Sequence, residues 1–464
     1  MLLDGLIVNH AGRCCTMFLH LASDVSNSVY LIVIAITLIG FGLWRQYRTT
    51  SHVNLAPQPP GLPLLGNLPE FIKAASRKEL HLLIEKWHRT YGDLIRVKLG
   101  PVTLHFVGSD VAVKQIFDKN SAFTAERPRW IYSNETHCGS MNVLLLDASH
   151  SRWKHQRKVT HAGLTSVAMA DKGLPYLHYE TARFLSQVAN DAKAGSDGKE
   201  LFDAIGRYTY STFAQQTFGM EIAELRDPVI DYIFDTGEQQ IQGTLPGSYI
   251  VDLLPSLASL PLWLKPWERK GRAAYRRDMS WVTERLSMIK RDIPNGYFHD
   301  AFLPRVVSDE KKMGFETEDE AAYLALMLII GAADTSRMST WAFLECMLLF
   351  PEVMTKLQSE IDAVVGDRMP VYEDLESIPY VRSVMKEVWR FRPPVTLGHP
   401  HRITKDLSYN GFVLPKGSRV QICSWAIGHD PRRHADPEKF MPERYTDDKT
   451  NASNHDILKE GDKY

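Results

Sequence analysis

Two hydrophobic periods run along this chain, and one stretch obeys neither. Between Thr317 and Pro351 apolar residues fill most positions, and the run opens on Thr317 with Glu320 three residues on, the pattern of a capping box. This predicts a single long helix, roughly 50 Å at about 1.5 Å per residue, that crosses the body and is too apolar to lie on its surface. Lys78 to Tyr91 reads as an amphipathic helix. Leu94 to Leu99 and Val102 to Val107 read as a β-hairpin through Gly100-Pro101, and Val111 to Phe117 as another helix. A further helix is expected from near Ser149, and one more between the start markers Ser377 and Pro379 and the break at Pro393-Pro394. Tyr409-Asn410-Gly411 reads as a turn, and Val413 to Val420 as a returning β segment. The pattern predicts a mainly α fold with small β-sheets.

No charge occurs between Val25 and Trp44, and Val29 to Trp44 is almost wholly apolar, with Arg45 and Arg48 directly after it. A transmembrane anchor is therefore expected at residues 29–44, after an N-terminal tail at 1–28. Arg45 and Arg48 against Arg13 alone place the C-terminal side in the cytosol. A cleaved signal peptide competes with this reading, but no clear small-residue cleavage site follows the run. Residues 45–67 read as a basic, proline-rich connector, since Pro57, Pro59, Pro60 and Pro63 impose stiff non-helical geometry. No linker or charge block divides residues 68–464, which read as one large unit.

Composition narrows the function classes. Hydrophobic residues at 44% and charged residues at 23% are ordinary for a globular protein, and a net charge of −1 supplies no reason to expect nucleic acid. Five cysteines, Cys14, Cys15, Cys138, Cys346 and Cys423, show neither a disulfide framework nor zinc-ligand spacing.

Candidate chemistry sits on three helices. Glu387 and Arg390 share a helical face, although an exposed pair of this kind contributes only about 0.3–0.5 kcal/mol. Trp153 and Arg157, four apart, also share a face, and an indole N–H beside a guanidinium suits a carboxylate. In the long helix, Gly331-Ala332-Ala333-Asp334-Thr335-Ser336 places a carboxylate where burial is costly unless it is paired or reaches water. Thr335 is able to bond back to the carbonyl four residues earlier, and Gly331 weakens the helix, so a distorted turn that admits water is expected.

Together with Pro57-Gln58-Pro59-Pro60-Gly61-Leu62-Pro63-Leu64-Leu65-Gly66-Asn67 and Phe440-Met441-Pro442-Glu443-Arg444, these stretches in this order resemble the cytochrome P-450 family of heme-thiolate monooxygenases over nearly all of residues 57–464. The resemblance implies heme, with Trp153 and Arg157 on one propionate and His401 in the place of a second propionate partner. It links Glu387, Arg390 and Arg444 into a buried structural network behind the heme. It implies that Asp334 and Thr335 deliver protons during oxygen activation, and that Val395 to Gly398 line the substrate cavity. Ala332 departs from the family, where many relatives carry a second glycine. The expected partners are O2, a small organic substrate, and an NADPH-dependent flavoprotein reductase that supplies electrons. The expected setting is the endoplasmic reticulum membrane, with the catalytic body cytosolic, in fungal secondary metabolism.

The family pattern continues past Arg444 to a glycine-rich loop with Phe, Gly and Arg, and then to the cysteine whose thiolate binds iron; none of this precedes Tyr464. The expectation is a C-terminally truncated fold with no axial metal ligand, inactive as it stands. The alternative is a non-catalytic membrane-bound pseudoenzyme or decaying gene product of the same fold. Cys423, in the returning strand, and Cys346, near the end of the long helix, lie outside any loop of the required composition.

Overall fold

A computed structural model describes residues 54–447 apart from 166, 192–196, 246–247 and 297–299. The expected anchor at residues 29–44, the tail before it and the end of the chain from 448 on lie outside the described residues. Two compact units emerge. The described part of the small one joins Asn54 and Leu55 to Asn410–Val413: the Asn54 amide donates to the Gly411 carbonyl at 2.9 Å, and Leu55 bridges Val413. The other described residues belong to the large unit.

The large unit begins with helices α1 (Leu68–Ser76) and α2 (Leu80–Tyr91), followed by strands β1 (Leu94–Leu99) and β2 (Val102–Val107). The hairpin pairs Leu94 with Val107 through to Leu99 with Val102, the limits its alternation predicts. Helix α1 was not foreseen; Pro69 in its first turn suits a helix start. Residues 56–67, expected within a connector, are docked on the body. The Arg96 N–H donates to the Pro57 carbonyl at 2.8 Å, and the Asn67 N–H donates to the Lys98 carbonyl at 2.7 Å. Gly66 makes this docking possible: its φ is +60°, and a Cβ there would sit 2.3 Å from the Lys98 carbonyl oxygen. Gly66→Ala is expected to cost about 1–3 kcal/mol of local stability and to expose the 57–67 stretch to limited proteolysis, read by mass spectrometry of the first-cut fragments.

Helices α3 (Ser151–Thr160), α4 (Val167–Asn190), α5 (Gly198–Phe218), α6 (Pro228–Thr244) and α7 (Pro266–Asp292) precede the long helix α8 (Glu318–Leu349). Every residue from Glu320 to Met327 is buried, so α8 is sequestered on all sides here, as its lack of a polar face requires. Its apolar side chains join Phe218, Trp281 and Phe302 in the main core, each large one contributing about 1.5–3 kcal/mol. Although α8 is long and apolar enough to cross a membrane, more than half of its most apolar window is covered by protein, which marks a core helix. Leu348 and Leu349 at its end are exposed.

Half of the expected capping box forms. The Thr317 hydroxyl accepts the Glu320 N–H at 3.2 Å, but the Glu320 carboxylate takes Arg152 at 3.1 Å and the Gln156 amide at 3.4 Å instead of turning back. After α9 (Pro351–Val365) comes α10 (Pro379–Phe391). Ser377 does not cap α10; the Glu360 carboxylate from α9 accepts the Tyr380 N–H at 3.0 Å. Strands β3 (His401–Arg402) and β4 (Arg419–Ile422) complete a sheet ordered β1-β2-β4-β3, with β4 parallel to β2.

Candidate functional site

Helices α8 and α10 face each other across a cavity of about 530 Å³ lined by Thr335, Ser336, Ser339 and Thr340 from α8 and by Met385 and Trp389 from α10. The hydroxyls on the α8 side recur at i and i+4, so they share one wall. Three of the four are turned onto their own backbone: Thr335 donates to the Gly331 carbonyl at 3.0 Å, Ser339 to that of Thr335 at 2.9 Å, and Thr340 to that of Ser336 at 3.0 Å. A hydroxyl that donates to a carbonyl still accepts through its oxygen lone pairs. The distorted turn expected at Gly331–Ser336 does not form, because these bonds run alongside the backbone ladder without replacing it and α8 stays regular throughout. Gly331 has its effect by leaving space: a Cβ there would meet nothing within 4 Å.

Asp334 is half-buried, and its Oδ1 has no hydrogen-bond partner. Burial pushes its carboxyl above the ordinary carboxylate range, Arg337 pulls it down and Glu238 pushes it up. It therefore keeps a proton to a higher pH than a free carboxylate does.

A second feature is a pair of arginines with two neutral histidines beside them. Arg127 is held at the His399 and Pro400 carbonyls, 3.4 and 3.2 Å away, and is pushed down to about 10 by burial and then by the charge of Arg157. The His401 Nδ1–H donates to the Thr124 carbonyl at 2.7 Å, leaving Nε2 unoccupied by that bond. Burial and then Arg127 push both His399 and His401 down to about 4. Arg157 is exposed and Trp153 half-buried on α3. The Arg152–Gln156 face of α3, pinned to Glu320, fixes the rotation of that helix and with it the direction of the neighbouring Trp153–Arg157 face. Among the described residues no carboxylate pairs with Arg127, Arg157, His399 or His401. Sequence reasoning missed Arg127, which lies in a loop where no period marks it.

Behind the cavity, α10 turns its opposite face to a buried network. Glu387 takes Arg390 in a two-pronged pair at 2.7 and 2.8 Å, accepts the Met441 N–H at 2.7 Å, and meets Arg444 at 3.4 Å. Arg390 also donates to the Gly428 and Pro437 carbonyls, both at 2.8 Å. Glu387, Arg390 and Arg444 thus come together, and they stitch α10 to the 428–444 segment.

Cys138, Cys346 and Cys423 are buried, and burial pushes each thiol up to about 12; none lines the cavity. Among the described residues no group of three or more His, Cys, Asp or Glu side chains is placed to hold a metal ion.

Comparison with known proteins matches residues 57–458 to the family described as Cytochrome P450. A cytochrome P450 monooxygenase of Gibberella fujikuroi is 49% identical over 407 residues, 87% of this chain and 74% of that protein. Cytochrome P450 monooxygenase virE of Hypocrea virens is 31% identical over 90% of this chain and 74% of its own length. Among solved structures, a zebra fish cytochrome P450 with progesterone superposes with a TM-score of 0.65 at 22% identity, covering 79% of this chain and 83% of that one, a likeness of fold.

Proposed function

The chain belongs to the cytochrome P450 family of monooxygenases, which are oxidoreductases, and from that membership we propose that it inserts one oxygen atom from O2 into a small organic substrate in fungal secondary metabolism. The observation that carries this reading is the hydroxyl-lined wall of α8, which starts at Thr335 directly after Asp334 and faces the apolar residues of α10 across one cavity. The fungal relatives named as monooxygenases support it, and no observation favours a non-catalytic protein.

The family implies heme. The residues present fit its carboxylate side, because Arg127 and Arg157 bring two guanidinium groups together without an acidic partner, and His399, His401 and Trp153 add neutral ring N–H groups. No described cysteine fits the iron, since each is a buried thiol in a packed core. When bound, the cofactor supplies the redox chemistry of oxygen activation.

The protein's own groups then have separable roles. Burial favours the protonated carboxyl of Asp334, next to Thr335 on α8, and Thr335 accepts a hydrogen bond from a donor in the cavity while its own O–H stays directed at the Gly331 carbonyl. Met385 and Trp389 give the opposite wall an apolar surface for substrate, and Pro394 borders it. Glu387, Arg390 and Arg444 keep α10 in register with the segment behind it. The apolar run at 29–44 supports a single-pass anchor in the endoplasmic reticulum, with the body cytosolic and an NADPH-dependent flavoprotein reductase as electron donor.

The test is isotopic. A host expressing the full chain with its reductase, grown under 18O2, is expected to yield a product carrying one heavy oxygen atom. A product labelled only from water would overturn the proposal.

A further inference from the structure

One helical turn beyond Asp334, Arg337 is buried in a setting built to hold a guanidinium. Its Cζ lies 3.7 Å over the Phe202 ring and 5.7 Å from the Phe234 ring. Gly206 on α5 leaves room for it, since a Cβ there would meet the Arg337 Cζ and Nε at 3.0 Å. The only carboxylate paired with it among the described residues, Asp203 on α5, is 3.6 Å away and already holds Lys199 at 2.7 Å. That leaves an unused donor, the Arg337 Nε, and an unused acceptor, the Asp334 Oδ1, on the same face of one helix. A buried donor and acceptor each left without a partner are costly, so two such groups a turn apart are a pair waiting to form.

We propose that Arg337 is the positioning residue for Asp334: its guanidinium, clamped by Phe202 and shared with Asp203, is the countercharge to which the Asp334 carboxylate turns after giving up a proton. The inference rests on the proton-delivery reading of Asp334. No bond other than O–H is made or broken: the proton leaves the Asp334 carboxyl toward the cavity, the carboxylate is matched by Arg337, and solvent water returns a proton.

The charges around Asp334 agree with this arrangement. After burial, Arg337 is the group that acts on it most strongly, and it pulls the carboxyl down against Glu238 on α6. Tyr210 on α5, itself fully buried, is pushed up chiefly by burial and feels both members: the charge of Asp334 raises it further, and Arg337 lowers it by its charge and a side-chain hydrogen bond. The phenol therefore lies close enough to both groups to sense them.

Infrared difference spectra of the full chain titrated with pH test the idea, using the carboxyl band that Asp334→Asn removes. Arg337→Gln is expected to move the midpoint of that band upward by about one unit or more, and Arg337→Lys to keep it near the parent value. Asp203→Asn releases the guanidinium from its other carboxylate and is expected to move the midpoint down, which decides the matter if Arg337→Gln fails to fold. An unchanged midpoint in Arg337→Gln, or an upward one in Asp203→Asn, overturns the proposal. Failure of the underlying reading is distinct: Asp334→Asn would then form product at the parent rate while the band shifts persist.

Discussion

Glu387→Gln is expected to destabilise the body by about 3–5 kcal/mol, the cost of breaking one partner of a buried charge network. Glu387 is fully buried and Arg390 nearly so, and removing one charge leaves the other uncompensated in a packed interior. The guanidinium keeps its carbonyl contacts at Gly428 and Pro437, but these are neutral acceptors and do not cancel its charge. Calorimetric unfolding of the full chain reads the loss. A paired replacement, Glu387→Leu with Arg390→Met, should recover much of it, because an apolar pair of similar volume carries no desolvation penalty. Arg444→Met should cost less, since Arg444 meets Glu387 only at 3.4 Å. Equal losses for Glu387→Gln and the apolar pair would mean that shape, not charge, holds α10 to the 428–444 segment.

Asp334→Asn is expected to cut product formation by about 10²-fold, the lower end of what a positioned acid or base contributes. The amide keeps the size and polarity of the side chain but has no carboxyl proton to give. NADPH consumption should continue while the reduced oxygen escapes as hydrogen peroxide, so product and peroxide are measured together. The pH profile carries an independent sign. Burial raises the Asp334 carboxyl, so its proton is present at low pH and is lost as pH rises through that elevated value. The parent rate should therefore fall on the alkaline side of this ionisation, and the fall should vanish in Asp334→Asn. Thr335→Val removes the hydroxyl that bonds to Gly331 and should lower product yield without abolishing that limb.

The elements that were legible are those whose stability is local or whose burial is uniform. The 94–107 hairpin announced itself because alternation and a Gly-Pro turn act over adjacent residues, and its register came out as the pattern requires. The long helix was legible because no polar face interrupts it between Ala321 and Met327. Caps were less legible. Ser377 has the chemistry of a cap, yet Glu360 from another helix does the capping, and Glu320 abandons its box for Arg152 and Gln156. In both cases a carboxylate had local and distant partners of similar strength, and packing chose between them.

The site divides along the same line. Spacing alone put Glu387 with Arg390, Trp153 with Arg157, and Asp334 next to Thr335, because neighbours within a helix meet at fixed intervals whatever surrounds them. Order along the chain was enough to show the family. Arg127 joined the basic cluster only through folding: its position depends on carbonyls some 270 residues away, at His399 and Pro400. The regularity of α8 at Gly331, the solitude of Asp334 and the clamping of Arg337 against Phe202 were likewise settled by neighbours from other helices. Local periodicity is written into the order of side chains, whereas burial and charge pairing depend on what the rest of the chain brings alongside, and that is decided only when the helices pack.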